Sequence, residues 1–81
     1  MMPDIKLELD PRADAAYVLL RDVEVASTKK LDTCRLLDLG ADGEIIGIEF
    51  LHVSGGVDLT DLPSREELHR LFEDRRIKQI V

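Results

Sequence analysis

The sequence has little of several residue types on which common functions depend. Its one cysteine, Cys34, cannot form an intramolecular disulfide, so nothing favours secretion. Residues 1–10 are acidic and lack the apolar stretch of a signal peptide. The longest apolar run, residues 15–20, is far shorter than the roughly 20 residues of a membrane helix. We therefore expect a cytoplasmic protein that does not bind membranes.

Acidic residues outnumber basic ones, and aromatic residues are scarce. The 81 residues include 11 lysines and arginines against 17 acids, a net charge of −6, with one tyrosine, two phenylalanines and no tryptophan. Residues 1–63 carry 6 basic and 13 acidic side chains, or −7, whereas residues 64–81 carry 5 and 4, or +1. Nucleic-acid binding relies on basic side chains at the phosphates and on rings against the bases. We expect no binding to nucleic acid, and the acidic surface favours solubility or a basic protein partner.

The chain does contain enough apolar material for one small domain, residues 1–81. At about 150 residues per domain, this length makes a single unit. Hydrophobic residues make up 44% of the chain, enough to build a core, so the composition does not indicate disorder. A chain this short buries only about 60% of its unfolded surface, so self-association is expected to add stability.

Alternating apolar and polar residues predict strands between residues 5 and 53. Asp42 and Gly43 between two apolar runs indicate a tight hairpin, because such a turn needs a positive φ. Asp10-Pro11 ends the first strand, and a turn over residues 11–14 follows. The predicted strands are residues 5–9, 15–20, 23–30, 33–39 and 45–53, of which 23–30 is polar enough for a sheet edge.

A helix is predicted over residues 64–76. Its apolar residues Leu68, Leu71 and Phe72 have helical spacing. Ser64 and Glu67 form the pattern of a capping box, in which each side chain accepts a hydrogen bond from the other residue's backbone amide.

These elements predict an α+β fold, an antiparallel β-meander of four or five strands with one C-terminal α-helix packed on one face. One helix covers only one face of a sheet. Apolar pairs such as Leu36-Leu37 and Ile45-Ile46 nevertheless direct side chains to both faces. The second face therefore needs a cover, and we predict a homodimer in which sheet packs on sheet or the helix is exchanged.

Few groups of residues indicate catalysis or a cofactor. Asp10 and Asp14 flank a turn, where two carboxylates could share a proton or hold a metal, but aspartate and proline are also ordinary turn residues. Cys34, His52 and His69 are separated by 18 and 17 residues, which matches no local metal-binding pattern. No glycine-rich phosphate loop is present. We predict no metal and no cofactor.

Three segments in order resemble a family of small prokaryotic proteins, the domain of unknown function 2283. Leu9–Val18 is similar to the family's Y-D-P-E-A-D-A-L-Y-I segment, Val25–Thr28 to its V-A-x-T edge, and Asp38–Leu51 to its D-x-D-x-D-G-x-V-V-G-I-E-I-L hairpin. Leu9 departs from the usual aromatic residue and Gly40 from an acidic one. The resemblance implies a compact β-rich fold with no established activity and no catalytic residues. It also implies a candidate antitoxin, because members are associated with neighbouring genes for toxin-like ribonuclease-fold proteins.

The sequence favours a non-enzymatic protein-interaction module, homodimeric and acting as an acidic antitoxin-like partner of a basic toxin-like protein. Its association would weaken with salt. The alternative is a small-ligand-binding domain, or a small acid/base or metal-dependent enzyme that brings Asp10, Asp14 and Glu49 into one pocket. The candidate partner-binding residues are Asp10, Asp14, Asp38, Asp42, Glu44 and Glu49.

Overall fold

The computed structural model describes residues 5–80. Its strands form one sheet in which all neighbours are antiparallel, and one α-helix follows them. The predicted α+β class is confirmed. Within residues 5–80, no helix is long and apolar enough to cross a membrane. The elements are β1 (Lys6–Asp10), β2 (Ala15–Leu19), β3 (Ser27–Lys30), β4 (Arg35–Leu39), β5 (Ile45–Leu51), a 3-10 turn (Val53–Gly55) and α1 (Arg65–Asp74).

The strand order is β1-β2-β5-β4-β3, which differs from the sequential order of a simple meander. β5 lies at the centre, since its side chains Ile46, Ile48 and Phe50 are at most 1% exposed and need neighbours on both sides. β3 is exposed along its whole length and lies at the edge. Burial of these large apolar side chains therefore favours the central position of β5.

The segment between β2 and β3 crosses the end of the sheet. The Leu20 amide donates to the Ile46 carbonyl at 2.8 Å, so the chain leaves β2 towards β5. The strand predicted over residues 23–30 forms only in its second half, from Ser27. Val23 is 45% exposed. Its β-branched side chain favours a strand locally, but the crossing segment has no neighbouring strand along which to extend.

The hairpin between β4 and β5 forms where it was predicted. Gly43 has φ 84°, and its amide donates to the Gly40 carbonyl at 2.9 Å. The Gly40 amide in turn donates to the Glu44 carbonyl at 2.9 Å, and Asp42 Oδ1 accepts the Glu44 amide at 3.0 Å. The positive φ of Gly43 is thus the local reason for the turn.

The core lies on the face of the sheet that α1 covers, as the sequence predicted. Leu68 and Phe72 of α1 are fully buried there. The rings of Phe50 and Phe72 meet edge to face, with centroids 5.1 Å apart and an interplanar angle of 82°. Three buried residues of the loop before α1 complete the core: Val57, Leu59 and Leu62.

The helix begins without the predicted capping box. Ser64 has φ 54° and its side chain makes no capping hydrogen bond. Its carbonyl still accepts the Leu68 amide at 3.0 Å. A capping serine normally has an extended backbone, so the left-handed backbone here directs the hydroxyl away from the Glu67 amide. The helix is also shorter than the predicted 64–76.

The chain after α1 turns back onto the loop before it. Arg76, with φ 57°, is the left-handed residue at which the chain departs from the helix. The Val57 amide donates to the Lys78 carbonyl at 2.8 Å, and the Ile80 amide donates to the Val57 carbonyl at 2.9 Å. These bonds form a parallel bridge of Val57 with Gln79, which holds the C-terminal segment in place.

Arg35 fastens the loop before α1 to the sheet. This residue is only 6% exposed, and its Nη1 donates to the carbonyls of Asp58 and Thr60 at 3.1 and 2.6 Å. Its Nε and Nη2 reach Asp32 Oδ2 at 2.9 and 2.8 Å. The hydrogen bond from Arg35 holds the pKa of Asp32 below its usual value. Hydrogen bonds from Thr60 likewise hold the pKa of Asp58 below its usual value, and the positive charge of Arg35 lowers this pKa further.

Candidate functional site

The sheet face opposite α1 is covered by no element of residues 5–80, and we call it the open face. Strand side chains alternate between faces, so residues next to the core positions Val18, Ile48 and Leu37 belong to it. Its residues, from β1 to β3, are Lys6, Glu8, Asp10, Ala15, Tyr17, Leu19, Gly47, Glu49, Leu51, Leu36, Asp38, Thr28 and Lys30. The face is mixed, with half-buried leucines among charged side chains.

Tyr17 crosses the open face from β2 to β4. Its hydroxyl donates to Asp38 Oδ2 at 2.7 Å, and the Thr28 hydroxyl donates to Asp38 Oδ1 at 2.7 Å. The ring passes over β5 at Gly47, where a Cβ atom would stand only 2.6 Å from Tyr17 Cζ. The absence of a side chain at Gly47 therefore lets Tyr17 reach Asp38, and four strands are joined by one chain of contacts.

The environment of Tyr17 keeps its phenol protonated. Burial raises the pKa of Tyr17 well above its usual value, and the hydrogen bond to Asp38 raises it further. The nearby carboxylates Glu49 and Glu8 act in the same direction. The hydroxyl is thus a fixed donor to Asp38.

Three carboxylates surround one side of Tyr17. Glu8, Asp10 and Glu49 line a depression of about 280 Å³, whose floor includes Tyr17 and Ala15. We call these five residues the acidic depression. All three carboxylate residues are exposed, and within residues 5–80 none of them forms an ion pair. The site is therefore an open negative surface with an aromatic floor.

The predicted site residues are divided by the structure. Asp10 and Glu49 share the acidic depression, and Asp38 holds Tyr17 beside it. Asp14 lies elsewhere, since its Oδ1 accepts the Ser54 amide at 3.0 Å and its Oδ2 the Ser54 hydroxyl at 2.7 Å. The structure thus does not bring Asp14 into one pocket with Asp10 and Glu49.

The other two predicted residues lie at the β4–β5 turn. The hydrogen bond from the Glu44 amide lowers the pKa of Asp42 below its usual value. The guanidinium group of Arg21, 3.5 Å from Asp42, lowers this pKa further. Glu44 is exposed in the same turn. Asp42 therefore has a structural role in the hairpin.

Glu8 and Tyr17 were missed as site residues by the sequence reasoning. The signal for Glu8 was present, because it lies two residues before Asp10 on one strand and so shares its face. Tyr17 required the register, in which Glu8 pairs with Tyr17 and Tyr17 with Glu49. That register places the three side chains in one row across β1, β2 and β5.

No group of three or more histidine, cysteine, aspartate or glutamate residues is placed to hold a metal ion in the part of the chain that the structure describes. Cys34 is exposed as a free thiol. The three carboxylates of the acidic depression thus face solvent without converging on one point.

Comparison with known proteins gives one match. No curated protein and no solved structure matches the chain. Residues 6–54 match the family model described as "Protein of unknown function (DUF2283)". The match includes all five strands, and with them the acidic depression and the contacts of Tyr17, but it ends before α1. Because it extends over more than half of the chain, the protein belongs to the DUF2283 family.

Proposed function

We propose that the open face is a protein-binding surface whose acidic depression receives a lysine or arginine side chain of a basic partner. The observation that carries the proposal is the arrangement of Glu8, Asp10 and Glu49 around Tyr17, with no ion pair to any of the three carboxylates within residues 5–80. Asp10 Oδ1 accepts the Ala13 amide at 3.2 Å, but no cationic side chain among residues 5–80 neutralises the three carboxylates, which leaves their charge available to a cation from outside.

The chemistry of the depression suits a cationic side chain. Carboxylates form charge-assisted hydrogen bonds with ammonium and guanidinium groups, and an aromatic ring attracts the same cations. Arginine suits the acidic depression best, because its planar guanidinium group can bond to the carboxylates and stack on the ring of Tyr17. The half-buried Leu19, Leu36 and Leu51 supply apolar area around this contact.

The charge of the open face favours a basic partner over a second copy of the chain. The face carries the carboxylates of Glu8, Asp10, Asp38 and Glu49 but only two lysines, Lys6 and Lys30. Sheet-on-sheet stacking of two copies would bring together surfaces of the same net charge. The homodimer stays a prediction, to be checked by measuring the mass in solution by light scattering at micromolar concentration.

In the cell, we propose, the chain acts as an acidic antitoxin-like protein that covers a basic toxin-like protein. It is supported by the net charge of −6 and by the implication of the family resemblance. An acidic face that covers a basic active site would speed association through charge complementarity and would weaken as salt screens the charges.

The test measures binding of a fluorescent peptide of alternating arginine and glycine by anisotropy. Glu8→Gln and Glu49→Gln should each weaken binding about threefold, because each removes one charge but keeps the shape. Glu24→Gln, in the exposed segment between β2 and β3, is the matched control and should leave binding unchanged. Equal affinity at low and high salt would contradict the electrostatic mechanism.

A further inference from the structure

A second surface, on the helix side of the sheet, differs in charge from the rest of the chain. A groove of about 660 Å³ runs between α1 and the C-terminal segment, residues 77–80. It is larger than the acidic depression. Its lining residues are Leu59, Arg65, Glu66, His69, Arg70, Gln79 and Ile80. We call it the cationic groove.

The two walls of the cationic groove are held together. The ring of His69 lies between two acceptors, with Nδ1 at Gln79 Oε1 and Nε2 3.3 Å from Glu73 Oε2. Gln79 Nε2 donates to the His69 carbonyl at 3.0 Å, which fixes the orientation of the amide. Together with the bridge of Val57 and Gln79, these bonds form the groove before any ligand binds.

The charges of the groove have few internal partners. Arg65 and Arg70 are exposed, and neither forms an ion pair with another residue among 5–80. Glu66 is the one acid in the lining. Beside the arginines, Ile80 is 56% exposed, and Leu59 forms the buried floor. The groove thus combines an apolar surface with two guanidinium groups that form no ion pair in the described part of the chain.

We infer that the cationic groove binds an acidic peptide segment of a partner protein. Carboxylates of the segment would pair with Arg65 and Arg70, whose planar groups match carboxylate geometry. An aliphatic side chain between those carboxylates would pack on Ile80. This site is independent of the acidic depression and takes a ligand of opposite charge.

The structure disfavours two other occupants. A nucleic acid is disfavoured because, among residues 5–80, no phenylalanine, tyrosine or tryptophan lines the groove to stack on a base. A second copy could offer its acidic depression, but that surface is on the opposite side of the sheet from α1. The contact would be head to tail and would not close into a dimer.

The experiment uses the full chain and a fluorescent peptide of alternating glutamate and leucine, followed by anisotropy. We expect Arg65→Gln and Arg70→Gln each to weaken binding about threefold, since each removes one exposed charge that pairs with the peptide. The matched control is Arg12→Gln, an exposed arginine in the turn between β1 and β2, which should leave the affinity unchanged.

Two further variants separate this site from the open face and test the apolar contact. Glu49→Gln should not alter binding of the acidic peptide, whereas it weakens the arginine peptide if the proposed function is correct. Ile80→Ser should weaken binding of the acidic peptide, whereas Val23→Ser, at another exposed apolar residue, should leave that binding unchanged. The inference is overturned if the arginine variants bind as the wild type does, if no binding occurs at low salt, or if a single-stranded oligonucleotide displaces the peptide.

Discussion

The hydroxyl of Tyr17 donates a hydrogen bond to Asp38 at 2.7 Å from two strands away. The strand between them, β5, presents Gly47 to the ring, and the glycine leaves the space that the ring occupies. The contact fixes Tyr17 as the floor of the acidic depression. Substitutions at Gly47 and Tyr17 should therefore affect both the shape of the acidic depression and the stability of the sheet.

Gly47→Ala should displace Tyr17 from Asp38. The new methyl group would overlap the phenol, and the tyrosine would swing towards solvent and lose its hydrogen bond, at a cost of about 1 kcal/mol. Urea unfolding measures the loss. Gly55→Ala is the control, because a Cβ there meets nothing within 4 Å. An unchanged unfolding midpoint for Gly47→Ala would contradict the packing described.

Tyr17 should make the protein less stable at alkaline pH. Its pKa is raised in the folded state, mainly by burial, so folding favours the protonated phenol. The stabilisation is complete below the unfolded pKa of about 10 and is lost as pH rises above it towards the folded value. Tyr17→Phe should remove this part of the alkaline decline.

The same titration can be observed directly, because the chain has one tyrosine and no tryptophan. The phenolate absorbance of the native protein should appear at a clearly higher pH than that of the urea-unfolded protein. In Gly47→Ala the native titration should move back towards about 10. Coincident native and unfolded titrations in the wild type would show that Tyr17 is not held as described.

Arg35→Lys should destabilise the fold by about 1–3 kcal/mol. Lysine keeps the charge, but it cannot donate at once to the carbonyls of Asp58 and Thr60 and to Asp32 as the guanidinium does. Urea unfolding provides the measurement. Arg12→Lys, at an exposed position, should have no effect. Equal stability of both variants would mean that the loop before α1 does not depend on Arg35.

Asp32 should contribute to unfolding in acid. Its pKa is lowered in the folded state, chiefly by the hydrogen bond from Arg35, so its stabilisation is present above the unfolded value of about 3.9. That stabilisation is lost as pH falls through the lowered folded pKa. Asp32→Asn should be less stable at neutral pH and lose less on acidification. Asp22→Asn, in the exposed crossing segment, serves as the control.

Ser64→Gly should stabilise the protein by about 0.5–1 kcal/mol. Ser64 has a left-handed backbone and makes no side-chain cap, so glycine would relieve strain and lose no hydrogen bond. A capping box predicts the opposite sign, since replacing a capping serine with glycine costs a few tenths of a kcal/mol. Thermal unfolding of the two proteins distinguishes these outcomes.

The elements that depend on local sequence were predictable. The alternation in β1, the apolar run of β2 and the Asp42-Gly43 turn each encode their structure within a few residues. The strand order was not predictable from local sequence, because it depends on which strand buries most apolar surface when it has a neighbour on each side. β5 carries apolar side chains such as Ile45 and Ile46 on both faces, and that was the available signal for a central position.

The sequence predicted that the candidate site is acidic, but it did not predict which acidic residues lie together in it. Acidic residues on the strands were recognised, yet only pairing across three strands shows that Glu8 joins Asp10 and Glu49 while Asp14 does not. The cap at Ser64 failed for a related reason. The local pattern was complete, but Ser64 has a left-handed backbone and makes no side-chain capping bond.

The central position of β5 has a consequence for synthesis on the ribosome. The strand that completes the sheet is the last of the five to emerge, so a nascent chain holds the edges of β2 and β4 open until residue 51 is available. Open strand edges are the places where unfinished chains aggregate. The β1–β2 and β3–β4 hairpins can form early, whereas the pairing of β2 with β5 joins residues as distant in sequence as Ala15 and Leu51. With this topology, the period in which the nascent chain is prone to aggregate ends when β5 emerges and pairs with β2 and β4.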